Sequence, residues 1–139
     1  MYTEFAWSRD GDGLLVRLGP AQAAALREAL AYACRDDAGP AYPTVLLGAD
    51  RDLVDGLARR LDGPPDRPVE VRLRPAELHT ALSALTQAAI HFVSPEGLFS
   101  QEAFLIRLGF YRENFDALAR AFADAAFQAY GNAAREVSG

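Results

Sequence analysis

The sequence predicts an α+β fold: a small, mainly antiparallel sheet of three or four strands, helices packed on one of its faces, and a long helix at the C-terminal end. Three observations lead there. Val69-Glu70-Val71-Arg72-Leu73 alternates apolar and charged residues, the pattern of a strand with one wetted face. Apolar residues elsewhere recur at spacings of three and four, the period of helices that bury one side. Mixed Pro and Gly clusters at 36–40, 62–68 and 94–97 cut the chain into short elements.

In chain order, Glu4 to Ser8 and Leu14 to Leu18 flank Arg9-Asp10-Gly11-Asp12-Gly13 and read as a hairpin whose Leu14, Val16 and Leu18 face one way. A helix over Ala21 to Arg35 places Cys34 on its apolar side with Leu26, Leu30 and Ala33. Thr44 to Leu47 reads as a further short strand. Arg51 to Leu61 is a helix capped by Asp50, with Leu53, Leu57 and Leu61 as its stripe and Gly63 after its end. The strand Val69 to Leu73 follows, then a helix over Ala76 to Phe92. Between Leu78 and Pro95 there is no charged residue, and Leu78, Leu82, Leu85, Ala89 and Phe92 form a stripe with Ala81 and Ala88 beside it. Its other side carries uncharged polar groups, including Thr80, Ser83 and Gln87, so this helix is suited to being covered on both sides. Ser100 to Tyr130 closes the chain. On it Phe104, Leu108, Tyr111, Phe115, Leu118, Phe122 and Ala126 share a stripe, while Glu102, Glu113, Asp116, Arg120 and Asp124 collect opposite, and Arg112–Asp116, Asp116–Arg120 and Arg120–Asp124 make a ladder of i,i+4 ion pairs. Gly109 allows a bend within it.

The 139 residues suit a single domain, 1–139. At an offset of 55, Val16-Arg17-Leu18-Gly19-Pro20-Ala21 aligns with Val71-Arg72-Leu73-Arg74-Pro75-Ala76, giving a strand–helix repeat over 14–35 and 69–92. In both copies Pro opens the helix, and Gln22 or Glu77 stands two residues later. The match reads either as a duplication or as two uses of one strand-to-helix grammar.

Half of the residues are hydrophobic, a quarter are charged and the net charge is −5, which argues against nucleic acid as a partner. No run is apolar and long enough to span a membrane. The lone Cys34 forbids an internal disulfide, and the start MYTEFAWSRDGDG lacks the pattern of a signal peptide, so the expected location is the cytoplasm. All cationic side chains are Arg in an Ala-rich chain, a bias typical of a high-GC bacterial genome.

Groups capable of chemistry are scattered. His79 and His91 lie on one helix, about 18 Å of rise apart, so they cannot share a metal or a proton. Ser8-x-Asp10-x-Asp12-Gly13 has the first ligands of a calcium loop, but Gly19 stands where the closing Glu belongs. Asp50, Asp52 and Asp55 serve the start of a helix instead. No catalytic residue, metal site or cofactor is therefore assigned. The candidate ligand or interface residues are His79, Gln87, His91, Phe110 and Phe127, the two phenylalanines lying off the apolar stripe of the last helix. The surplus of apolar surface predicts a homodimer, formed through the charge-free helix or the Phe110 and Phe127 flank.

Phe110-Tyr111-Arg112-Glu113-Asn114-Phe115-Asp116-Ala117-Leu118 resembles the Tyr-Tyr-Gly-Glu-Asn-Leu-Asp-Ala-Leu helix start of the barstar family of ribonuclease inhibitors. The resemblance covers nine residues. It implies that Glu113 and Asp116 face a basic partner. The chain departs from the family after Leu118, where Ala119-Arg120 replaces Trp-Asp, and the family carries this motif early in a parallel α/β fold.

The function these observations favour is that of a non-enzymatic interaction or regulatory protein with an unknown protein partner. One alternative is a small-molecule-binding protein or enzyme with a pocket near His79 or His91. The other is an acidic inhibitor or immunity-type protein using Glu113 and Asp116.

Overall fold

A computed structural model describes residues 5–35, 39–88 and 112–131. Strands β1 (Ala6–Asp10), β2 (Gly13–Leu18) and β3 (Val69–Leu73) form a sheet in the order β1-β2-β3. Both ladders are antiparallel. The helices are α1 (Pro20–Ala33), α2 (Tyr42–Leu47), α3 (Arg51–Arg60), α4 (Pro75–Ala88) and α5 (Arg112–Tyr130). This is the expected α+β architecture.

The hairpin turn is two residues long, because Asp10 pairs directly with Gly13. Gly11 takes φ +63° at the first central position and Asp12 does not follow it, the pattern of a type II′ turn that matches the strands' twist. Leu14, Val16, Leu18 and Leu73 are fully buried against the helices, whereas Arg17, Glu70 and Arg72 stand on the wetted face. Phe5, just before β1, and Trp7 on it pack against the core, Phe5 meeting Phe122 of α5 edge-on with centroids 5.1 Å apart.

α1 and α4 pack on each other, α4 also touches α2, α5 and β3, and α3 leans on α1. The register places Val16 opposite Val71, the two residues equated by the offset of 55. The helix starts of the two units are built alike. Gly19 N–H donates to Gln22 Oε1 at 3.0 Å, and Arg74 N–H donates to Glu77 Oε1 at 2.9 Å. In each case the third helical residue satisfies the N–H of the residue before Pro, half of a capping box.

Three expectations are corrected. Thr44 to Leu47 is not a strand but most of α2. Pro43 sits in its first turn, and Gly48, in the left-handed region at φ +73°, ends it with its N–H donating to Thr44 O. In α3, Asp50 caps as expected, its Oδ1 accepting from Leu53 N–H at 2.9 Å, but Leu53 points to solvent. Val54 takes its place beside Leu57 and Leu61 in the core. Thr80, expected on the polar side of α4, is buried. Its hydroxyl lies 3.2 Å from both Leu47 O and Ala76 O, and so tethers α4 to the end of α2. The expected helices over 76–92 and 100–130 are seen as α4 and α5; residues 89–111 lie outside the described residues.

Glu77 gives the α4 start a pH dependence. Partial burial works against its charge, but the Arg74 N–H and the guanidinium groups of Arg60 and Arg74 outweigh that, so its carboxyl ionises below the ordinary range. A carboxyl whose folded pKa is depressed adds stability above its unfolded pKa and loses it as pH falls through the folded value. Glu77→Gln is accordingly expected to lower Tm at pH 7, with the gap to wild type closing as pH drops below about 4. Melting curves from pH 7 to pH 3 check this; a gap constant with pH would refute it.

Candidate interaction surface

The outer face of α5 gathers three of the residues that the sequence singles out. Phe115, Leu118, Phe122, Ala125 and Ala129 are buried and fix the helix's orientation. Glu113, Asp116, Arg120, Asp124 and Phe127 are then all exposed, within an arc of about 80° at 100° per residue. Phe127 is 65% exposed, and a Cβ added to Gly131 would sit 2.6 Å from its ring, so the ring lies over the chain as it leaves the helix. Arg120 Nε meets Asp124 Oδ1 at 2.9 Å, one rung of the expected ion-pair ladder. The face is thus acidic overall, with one large apolar side chain about 16 Å along the axis from Asp116.

The far end of α5 is fastened to the hairpin. Arg9 donates to Ala129 O at 2.6 Å with its guanidinium over the Tyr130 ring, and Tyr130 OH donates to Asp12 O at 2.7 Å. Arg9 supplies positive charge at a helix C-terminus, where it offsets the dipole. Asp10 and Asp12, the residues with calcium-loop spacing, are both turned to Arg72: Nε lies 2.9 Å from Asp10 Oδ2 and Nη2 lies 3.7 Å from Asp12 Oδ1. These acids hold the hairpin tip against β3. Sequence reading missed the clasp, since its partners lie up to 120 residues apart.

The remaining candidates are dispersed. His79 is exposed on α4, its ring 3.3 Å from where a Gly48 Cβ would stand and its Nε2 3.5 Å from Ser83 Oγ. Gln87 is half-buried two turns further along, and His91 and Phe110 lie outside the described residues. A groove of about 330 Å³ between the start of α1 and the 62–68 loop is lined by Pro20, Ala24, Arg27, Leu61, Pro64 and Val69. It brings together apolar walls and one charge, Arg27, which pairs with Asp62 at 3.4 Å. Among the described residues no group of three or more His, Cys, Asp or Glu could hold a metal, and no helix is long and apolar enough to cross a membrane.

Cys34 is free and buried, as expected. Burial raises its thiol pKa, Asp55 adds to the rise and Arg51 partly opposes it. The protonated thiol is a poor nucleophile, and Arg51 uses its guanidinium to bond the Cys34 carbonyl at 2.5 Å, closing the end of α1.

No protein family, curated protein or solved structure matches the chain. The nine-residue resemblance to barstar therefore stays local, and the antiparallel sheet differs from the parallel one that it implies.

Proposed function

We propose that this chain is a non-catalytic cytoplasmic interaction protein whose docking surface for a basic protein partner is the outer face of α5. The observation that carries the reading is Phe127, 65% exposed in line with Glu113, Asp116 and Asp124. An exposed aromatic at one end of an acidic face suits a partner with an apolar pocket bordered on one side by Arg or Lys. The acids would steer the encounter and the ring would set the lifetime of the complex. A buried, unpaired thiol is in keeping with a reducing compartment.

The same charges disfavour self-association through this face. In a two-fold contact centred on Arg120, Asp116 would meet Asp124 of the second copy and Glu113 would crowd against its Phe127. The charge-free helix is no better placed for the expected homodimer, because Leu78, Ala81, Ala84, Leu85 and Ala88 are spent inside the chain.

The test uses wild type, Phe127→Ala and Glu113→Ala/Asp116→Ala as baits in lysate of the native host, followed by titration of the retained protein. Phe127→Ala should weaken binding about 30-fold, roughly 2 kcal/mol, with Tm unchanged. The double variant should slow association and flatten its salt dependence. Equal affinity across all three baits would overturn the proposal.

A further inference from the structure

The β3 edge of the sheet carries its own pattern, independent of α5. Among the described residues no strand lies on the outer side of β3. Successive residues of an antiparallel strand turn their N–H and C=O groups to opposite sides. The carbonyl of Arg72 is met by the guanidinium of Arg60, from α3, and not by β2. Arg72 and Glu70 thus face outward, while Val69, Val71 and Leu73 bond to β2. Arg60 occupies the place that an N–H of an added strand would take. It is held there by Glu77, whose Oε2 lies 2.6 Å from Arg60 Nη1 and whose Oε1 accepts from Arg74 N–H. The same two side chains therefore cover the Arg72 and Arg74 end of the rim. Pro68, just before the strand, offers no N–H, so among the described residues Glu70 alone keeps both outward groups open, too few for a ladder.

The uncovered rim would be self-complementary. In an antiparallel pair of β3 strands centred on Val71, Val69 faces Leu73 of a second copy, Val71 faces its equivalent, and Glu70 faces Arg72 in both directions. The apolar row continues the helix-covered side, and the charged row places opposite signs together on the wetted side. We infer that β3 is a latent two-fold edge, kept closed by Arg60, to which a second copy of this chain adds to make one continuous six-stranded sheet when that latch is removed.

Light scattering at micromolar concentration tests this with five proteins: wild type, Glu70→Pro, Arg60→Ala, Glu77→Gln and Arg60→Ala/Glu70→Pro. Arg60→Ala is expected to show twice the mass of wild type, whose chain is 15.1 kDa, with helicity retained. Glu70→Pro removes an outward N–H without breaking a bond to β2, so the double variant should return to the wild-type mass. Glu77→Gln preserves the helix cap, as Gln22 does in the sister unit, yet loosens Arg60; it should show a smaller, concentration-dependent rise, which serves if Arg60→Ala does not fold. In the associated form the Glu70 and Arg72 amides should exchange slowly. A mass unchanged from wild type in both Arg60→Ala and Glu77→Gln overturns the inference, as does an Arg60→Ala dimer that Glu70→Pro leaves intact. A wild-type dimer dissolved by Glu70→Pro overturns the latch, since the edge would then be open with Arg60 in place.

Discussion

Phe122→Ala is expected to cost about 3–5 kcal/mol of stability, a drop in Tm of roughly 10 °C or more. Phe122 is fully buried, and its ring is where α5 meets the residue that leads into β1, edge-on to Phe5 at 5.1 Å. Truncation removes the transfer free energy of a whole phenyl group and leaves a cavity walled by a sheet and a helix layer that cannot close independently. Phe127, five residues on along the same helix, is the internal control. Its ring is mostly in water, so its truncation should move Tm by no more than a degree or two while weakening partner binding. Thermal and urea melts of the two variants side by side check both statements. Equal losses would mean that the exposed face of α5 supports the fold, and would remove the ground for treating it as a docking surface.

What the sequence discloses is what a short period encodes. Alternation in Val69 to Leu73 and in Leu14 to Leu18 defines two strands and their buried faces because each position answers to one neighbouring layer. α2 escapes the same reading. Six residues are too few to display a helical period, and Thr44 and Val45, branched at Cβ, resemble strand residues. What settles α2 is its surroundings: Pro43 fits the first turn, Gly48 ends it, and Leu47 O receives the Thr80 hydroxyl from α4. The exchange of Leu53 for Val54 has the same origin. Adjacent helix positions differ by 100° in azimuth, and packing on α1 chooses between them.

The docking surface divides in the same way. The exposure of Phe127 is legible, since it lies off a stripe set by Phe115, Leu118 and Phe122, and helix geometry alone aligns it with Glu113 and Asp116. The latch on β3 is not. It joins Arg60, Arg72 and Glu77 through the meeting of α3, β3 and the start of α4, which no local spacing specifies. The clasp of Arg9, Asp12 and Tyr130 is hidden for the same reason, and so is the pairing of Arg72 with Asp10 and Asp12 that gives acids spaced like calcium ligands other work.

Two glycines should respond to the same substitution with opposite signs. Gly13→Ala is expected to destabilise by about 2–3 kcal/mol, the range of an overpacked core, because an added Cβ would stand 2.6 Å from the carbonyl oxygen of Leu73, a backbone atom at the end of β3. Leu73 is itself fully buried under the helices and bonded to β2, so relief requires the two strands to part at the point where Gly13 closes the hairpin turn. Arg72, held by Asp10 and Asp12 across the same corner, resists that parting. Gly56 sits inside α3, where an added Cβ would meet nothing within 4 Å. There the methyl group only restricts the unfolded chain and favours the helix, so Gly56→Ala should stabilise by about 0.5–1 kcal/mol. Matched melts of the two variants decide the matter. A Gly13→Ala protein as stable as wild type would show that β2 and β3 can separate at that corner without cost, and with it that the register placing Glu70 and Arg72 on the outer rim is not rigidly held.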